Sequence, residues 1–366
     1  MRKPMQDHNI YNPDYVSPPG ATLNELLQDK GISQAELAEK TGRPKKTINE
    51  IIKGKAAITP ETAIQFERVL GTPAHFWITR ESDYREWLAK MKEREILIQY
   101  IPWMKKFPIR SMIKFGWLPE LNDNINQVDA LLKFFGVATP LQWQNSVNGA
   151  YLRQTPAFAA DPAAVSAWLR QGEIIAEGIE CEEYSDAKFR KILLKVKKIT
   201  MTEPDYFVKE LVRLCSTVGV AVVFLPELPG TRTCGATRWI NSKKALLMLS
   251  LRYKTNDHLW FTFFHEAAHI ILHEKKEIFI DAIIRDEEIV DEKEQQADFF
   301  AADFLIPEKA LRSLILSKKH LSHSDIIEFA NKQGIAPGIV VGRLQHDKLV
   351  PPQNFNRLKQ RYEWIK

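Results

Sequence analysis

The segment His265-Glu266-Ala267-Ala268-His269 sets two imidazoles four positions apart, with a carboxylate beside the first. On a helix, positions i and i+4 lie on one face, so both rings can grip a single metal ion. The glutamate is offset and reaches a water on that ion rather than the ion itself. Such a pattern can hold zinc and hydrolyse a peptide bond. A chance HExxH in a chain of this histidine content is roughly a one-in-a-hundred event, so the pattern needs support from its surroundings.

That support comes from the flanks and from a third ligand. The neighbours of the motif are apolar, and burying two imidazoles and a carboxylate there is costly without a metal. A catalytic zinc takes three protein ligands and keeps one position open. The acidic candidates downstream are Asp281, Asp286, Glu287, Glu288, Asp291, Glu292, Glu294 and Asp298. Most lie in a charged stretch that reads as a loop or a solvated helix start. Glu294 instead opens a helix on which Glu294, Ala297, Asp298 and Ala301 share one face, with Phe300 and Phe304 on its buried flank. The small residues would let this helix pack closely on the Ala267-Ala268 helix. Glu294 is then the candidate ligand. Asp298, one turn on, would hold the second nitrogen of a ligating histidine. His273, one turn beyond His269, reads as a surface or supporting histidine, since a fourth ligand would close the open position.

With zinc at this site, Glu266 is the candidate acid/base that takes a proton from water and returns it to the leaving amine. An extended substrate would pair with a sheet edge, expected at Ala236–Ile240. Tyr253, His258, Arg238 and His346 are the oxyanion-donor candidates. The elements that must position the motif are three strands and a helix. The β-branched run over 218–225 reads as a buried strand, with shorter strands over 236–240 and 245–251. The helix begins near Asp257 and buries Phe261, Phe264, Ala268, Ile271 and Leu272.

The first ninety residues have a different character. Leu23, Leu26 and Leu27 mark one short helix. Ser33 caps a second over 34–40, with Glu36 placed as in a capping box, and Gly42 stops it. A third helix over 44–53 turns Ile48, Ile51 and Ile52 inward and Arg43, Lys45, Lys46, Thr47 and Asn49 outward. A fourth begins at Thr59-Pro60. The second and third helices have helix-turn-helix spacing, which would place the outward set in the major groove of double-stranded operator DNA. Between the two ends, helical stretches over 128–135 and 163–169 and many aromatics (Trp103, Phe107, Trp117, Trp143, Trp168) read as a helical connector with a buried aromatic core.

Composition sets the outer bounds. The chain has 366 residues, which suggests two or three domains. Its net charge of +5 permits nucleic-acid binding without requiring it. Three scattered cysteines read as free thiols in a reducing cytoplasm. No apolar run is long enough to span a bilayer, and Met1–Pro19 has no signal-peptide core.

Two resemblances sharpen these expectations. Ser33-Gln34-Ala35-Glu36-Leu37-Ala38, the Gly42 turn, Ile48-Asn49-Glu50-Ile51-Ile52, and Leu70-Gly71 followed by Phe76-Trp77 resemble the Xre/Cro-like repressors, and within them antidote proteins of HigA type. That resemblance covers 18–84. The stretch Trp260–His273, with Glu294-x-x-Ala297-Asp298 and Phe304-Leu305-Ile306-Pro307, resembles the ImmA/IrrE zinc metallopeptidases over 212–349. This family commonly has Asn at the position of Asp298 and Gly at that of Ala268, and neither change touches a ligand. The second resemblance implies zinc on His265, His269 and Glu294, with Glu266 as the catalytic residue.

The expected fold is mainly α with a small β-sheet (α+β). A helix-turn-helix bundle would span 18–84, a helical connector 85–205, and a zincin-like metallopeptidase domain 206–366. The expected function is a cytoplasmic DNA-binding regulator whose zinc endopeptidase cuts a specific protein, an Xre-type repressor. The alternative is an antitoxin-like autorepressor that binds a toxin, with a non-catalytic zinc domain. A palindromic operator would require a homodimer.

Overall fold

The structure is a computed structural model that describes residues 15–150, 160–275, 278–282, 292–318 and 320–364. The fold is α+β, with one four-stranded mixed sheet among many helices in the described residues. Two compact units divide the chain, Met1–Tyr100 and Ile101–Lys366. Among the described residues, no helix is long and apolar enough to cross a membrane.

The first unit is helical: α1 (Pro19–Asp29), α2 (Gln34–Thr41), α3 (Lys45–Ile52), α4 (Pro60–Leu70) and the start of α5 (Ala74–Met104). Ser33 Oγ accepts the Glu36 backbone N–H at 3.1 Å and so caps α2. Gly42 and Gly71 end α2 and α4 in the left-handed region, where a side chain would be strained. Leu23, Leu37, Ile48, Phe66 and Trp77 form a fully buried core. Gly20 has a close-approach role. A Cβ there would sit 2.1 Å from the Ile51 carbonyl oxygen, so α1 packs directly on the α3 backbone.

The second unit continues with α6 (Ile109–Lys114), α7 (Asn124–Phe135), α8 (Pro140–Ala150), α9 (Pro162–Glu177), α10 (Asp186–Ile199) and α11 (Pro204–Ser216). The strands β1 (Val220–Phe224), β2 (Thr233–Asn241) and β3 (Lys244–Leu249) then lead to α12 (Asn256–Leu272) and β4 (Ile278–Ala282). The chain ends with α13 (Glu292–Leu305), α14 (Glu308–Ser317), α15 (His323–Gln333) and α16 (Pro337–His346). Trp103, Phe107 and Trp143 are buried against one another with centroids 5.1–5.8 Å apart, as the aromatic pattern suggested.

The sheet order is β1-β3-β2-β4, with β1 parallel to β3 and the other pairings antiparallel. Residues along β3 alternate between two packed faces. Leu247 and Leu249 join the core with Phe263 and Phe264 of α12, whereas Met248 lies against Gly172 of α9. This double burial explains the uninterrupted apolar runs of β1 and β3. One expectation is corrected. The 236–240 segment is not a sheet edge, because β4 pairs with β2 from Thr233↔Ala282 to Arg238↔Ile278. The short apolar run Ile278-Phe279-Ile280 supplies that outer strand and buries its side chains.

The start of α12 is fixed by the C-terminal segment. The Asn256 N–H donates to the Gln360 carbonyl at 3.0 Å, and the Gln360 N–H donates to Asn256 Oδ1 at 3.2 Å. Lys359 Nζ lies 2.6 Å from Asp257 Oδ2. On another side, Gly338 and Gly342 of α16 approach Asn256 and Asp257 so closely that a Cβ at either would collide with them. α16 therefore packs directly on the start of α12.

Candidate metal centre and helix-turn-helix unit

α12 carries His265, Glu266 and His269, all buried, toward α13 and the β2–β4 pair. Ala267, Ala268, Ala297 and Ala301 are fully buried, and these small side chains let α12 and α13 pack closely. That packing brings Glu294 to the histidines. Glu294 Oε2 lies 3.0 Å from His265 Nε2, Glu294 Oε1 lies 3.5 Å from His269 Nε2, and the two Nε2 atoms are 3.0 Å apart. The three groups form a cluster whose candidate ligand atoms all lie within 4.8 Å of one another.

The protonation chemistry of this cluster fits a cation. Asp298 Oδ1 lies 2.9 Å from His265 Nδ1. An ionised carboxylate only accepts, so Nδ1 carries the hydrogen, and in a neutral ring Nε2 then keeps its lone pair toward Glu294. A carboxylate 3.0 Å from that nitrogen calls for positive charge between them, which a proton on Nε2 or a metal ion supplies. Burial pushes the His269 pKa down, against the raising effect of Glu294, which favours the neutral, ligating imidazole. Burial alone would raise the pKa of Glu294. Interaction with the His265 and His269 rings outweighs burial and holds the carboxyl at about 2, so the group stays ionised. Two imidazole nitrogens and one carboxylate oxygen are a donor set suited to zinc.

Glu266 has no exposed surface, and its carboxylate lies against β2. A Cβ on Gly235 would sit 2.8 Å from Glu266 Oε1 and 2.6 Å from Thr262 Cγ2, so the strand has room for this glutamate only because residue 235 is glycine. Thr237 Oγ1 donates to the Glu266 carbonyl oxygen at 3.2 Å and ties the middle of α12 to β2. Neither Gly235 nor Thr237 was singled out from the sequence. A glycine inside a strand run was the available signal.

The other candidates fare differently. Asp286, Glu287, Glu288 and Asp291 lie outside the described residues, as does the side chain of Asp281. Glu292 and Asp298 are exposed. Arg238 is ion-paired with Glu173 of α9. Tyr253 and His258 stack on each other with centroids 4.2 Å apart. His346 is hydrogen-bonded to its neighbour Asp347 and is 85% exposed.

In the first unit, α3 follows α2 across the Gly42 turn. Lys45 and Lys46 are exposed at its start, while Arg43, Thr47 and Asn49 are half-buried. Arg43 Nε donates to Gln65 Oε1 at 2.5 Å, and Asn49 Nδ2 donates to Gln34 Oε1 at 3.2 Å. A family model described as helix-turn-helix matches residues 23–77. A second, for peptidase family M78 and described as IrrE N-terminal-like domain, matches residues 216–345. The chain belongs to the helix-turn-helix proteins and carries an IrrE N-terminal-like domain of a metallopeptidase-type family.

Its relatives include Virulence-associated protein A of Dichelobacter nodosus, 34% identical over 70 residues that make up 18% of this chain and 67% of the relative. An uncharacterised HTH-type transcriptional regulator of Escherichia coli K12, YddM, is 31% identical over 64 residues, 18% of this chain and 68% of that protein. Among solved structures, Pseudomonas aeruginosa antitoxin HigA with the higBA promoter is 30% identical. That match covers 21% of this chain and 86% of HigA, with a TM-score of 0.21.

Proposed function

We propose that the chain is a cytoplasmic, DNA-binding transcriptional regulator with a zinc endopeptidase that cuts one specific protein, an Xre-type repressor. In this reading the helix-turn-helix domain spans 18–84, a helical connector 85–205 and the peptidase domain 206–366. The observation that carries it is the convergence of His265, His269 and Glu294 beside Glu266, since a purely structural site has no need of that glutamate. The likeness to an HTH-type transcriptional regulator supports the DNA-binding half.

His265 Nε2, His269 Nε2 and a Glu294 oxygen would hold the zinc, and Asp298 would orient His265. When bound, zinc lowers the pKa of water toward neutrality and polarises a carbonyl. Glu266 acts as the base that receives a proton from the attacking water, then as the acid that protonates the leaving amine. Glu266 has no exposed surface and lies beside Gly235, which keeps bulk solvent from competing for its proton. Among the described residues the outer strand on the β2 side of the sheet is β4, and an extended substrate would add there.

Lys45, Lys46, Thr47 and Asn49, with Arg43 at the turn, would face the major groove, and a homodimer would match a palindromic operator. The test compares proteomes of cells making the wild-type protein or Glu266→Gln. One repressor disappearing only with the wild type is the expected result. No protein changing, with operator binding intact, replaces this reading with that of a toxin-binding autorepressor.

A further inference from the structure

Each ligating histidine has a second ring nitrogen, and the two rings are held differently. His265 uses Asp298, an anionic acceptor at 2.9 Å. His269 has no carboxylate at its Nδ1 among the described contacts. That atom lies 2.9 Å from Nδ1 of His273, one turn on at the end of α12. His273 Nε2 in turn lies 3.4 Å from Oε1 of Gln296, two residues beyond Glu294 on α13. A third group closes the arrangement: the Phe279 ring of β4 stacks on His269 with centroids 4.0 Å apart and planes 15° from parallel.

We propose that His273 is a positioning residue of the metal centre, accepting the Nδ1 proton of His269, with Gln296 orienting it and Phe279 clamping the ring. The inference rests on the metal-site reading above and names what tunes it. A neutral imidazole carries one hydrogen, so His269 can offer Nε2 to a cation only when Nδ1 is the protonated nitrogen. The acceptor for that hydrogen is His273 Nδ1. This places the His273 hydrogen on Nε2, where the Gln296 amide oxygen accepts it. One tautomer is thus specified along the whole chain from α13 back to the metal. Without the acceptor, the His269 ring has no preference between its two neutral forms and loses part of its orientation.

Phe279 adds a steric constraint that the hydrogen bond lacks. Its face-on contact blocks rotation of the His269 ring, and its own place is fixed by the Phe279↔Thr237 register of the β2–β4 pair. Thr237 also holds the Glu266 carbonyl, so one strand pair sets both a ligand ring and the base-bearing helix turn. The acceptors also differ in charge: an anionic partner makes His265 the stronger donor, and a neutral partner leaves His269 the weaker one, open to tuning.

The test uses the full-length chain stripped of metal with a chelator. The protein is titrated with Zn²⁺ against a chromophoric competitor, and with Co²⁺ while its visible absorption bands are recorded. His273→Ala is expected to weaken Zn²⁺ binding about 10–100-fold and to alter the Co²⁺ bands, with the melting temperature of the metal-free protein unchanged. His273→Gln, which offers an acceptor oxygen, should recover most of the affinity. Phe279→Leu should produce a smaller loss. Zn²⁺ affinity of His273→Ala within threefold of wild type, with identical Co²⁺ bands, overturns the proposal. So does a fall in metal-free stability equal to the whole effect. A wild-type protein that takes up neither cation overturns the metal-site reading itself.

Discussion

Gly235→Ala tests whether Glu266 is seated by the strand. The added Cβ would lie 2.6 Å from Thr262 Cγ2 and 2.8 Å from both Cγ and Oε1 of Glu266. Atoms do not tolerate such separations, and both neighbours sit on a fully packed helix that cannot retreat. The overpacking cost is about 1–3 kcal/mol, which for a unit of this size lowers the melting temperature by about 2–10 °C. The metal ligands are not displaced directly, so zinc content should stay at the wild-type level while cleavage is lost. Pairing the change with Glu266→Ala removes one of the two colliding groups. The double variant should therefore be less destabilised than the two single losses added together, by about 0.5–3 kcal/mol in a double-mutant cycle. Thermal and urea denaturation of the four proteins supply the numbers. A Gly235→Ala protein as stable as wild type, or a cycle that is strictly additive, refutes the reasoning.

Further predictions concern the other parts of the chain. Lys45→Ala with Lys46→Ala should weaken DNA binding and, if both meet phosphates, reduce the slope of log affinity against log salt by about 1.8. Equal affinity at low and high salt would reject the groove assignment. Asp298→Ala should weaken zinc binding about 10–100-fold, whereas Asp298→Asn, which keeps an acceptor oxygen for His265 Nδ1, should cost less; chelator competition ranks them. Lys359→Ala leaves Asp257 buried without its 2.6 Å partner at the start of α12. Urea unfolding should register a loss of about 3–5 kcal/mol, and a loss below ~1 kcal/mol would show that the C-terminal clamp is dispensable.

Much of the site was legible because it is written locally. The spacing of His265 and His269 and the small-residue face of Glu294-Ala297-Asp298-Ala301 encode helix geometry directly, and the alanines seat α13 on α12. The N-terminal helices were equally readable, since Ser33, Gly42 and Gly71 punctuate them with cap chemistry. What escaped were contacts between residues distant in sequence. The 236–240 segment was taken for an edge because Ile278-Phe279-Ile280 is too short to declare its pairing. The stack of Phe279 on His269 follows from that pairing and was hidden with it. Lys359 and Asp257 lie far apart in the chain, and no local pattern marks either as half of a buried ion pair. The bond from Asn49 to Gln34 likewise joins two helices, and no local pattern marks it.

The central claim is that three named residues hold a hydrolytic zinc. Elemental analysis of purified wild-type, Glu266→Gln and Glu294→Ala proteins tests it most directly. The account predicts about one zinc per chain in the wild type and in Glu266→Gln, and little in Glu294→Ala. Full zinc occupancy in Glu294→Ala would contradict it and move the third ligand elsewhere.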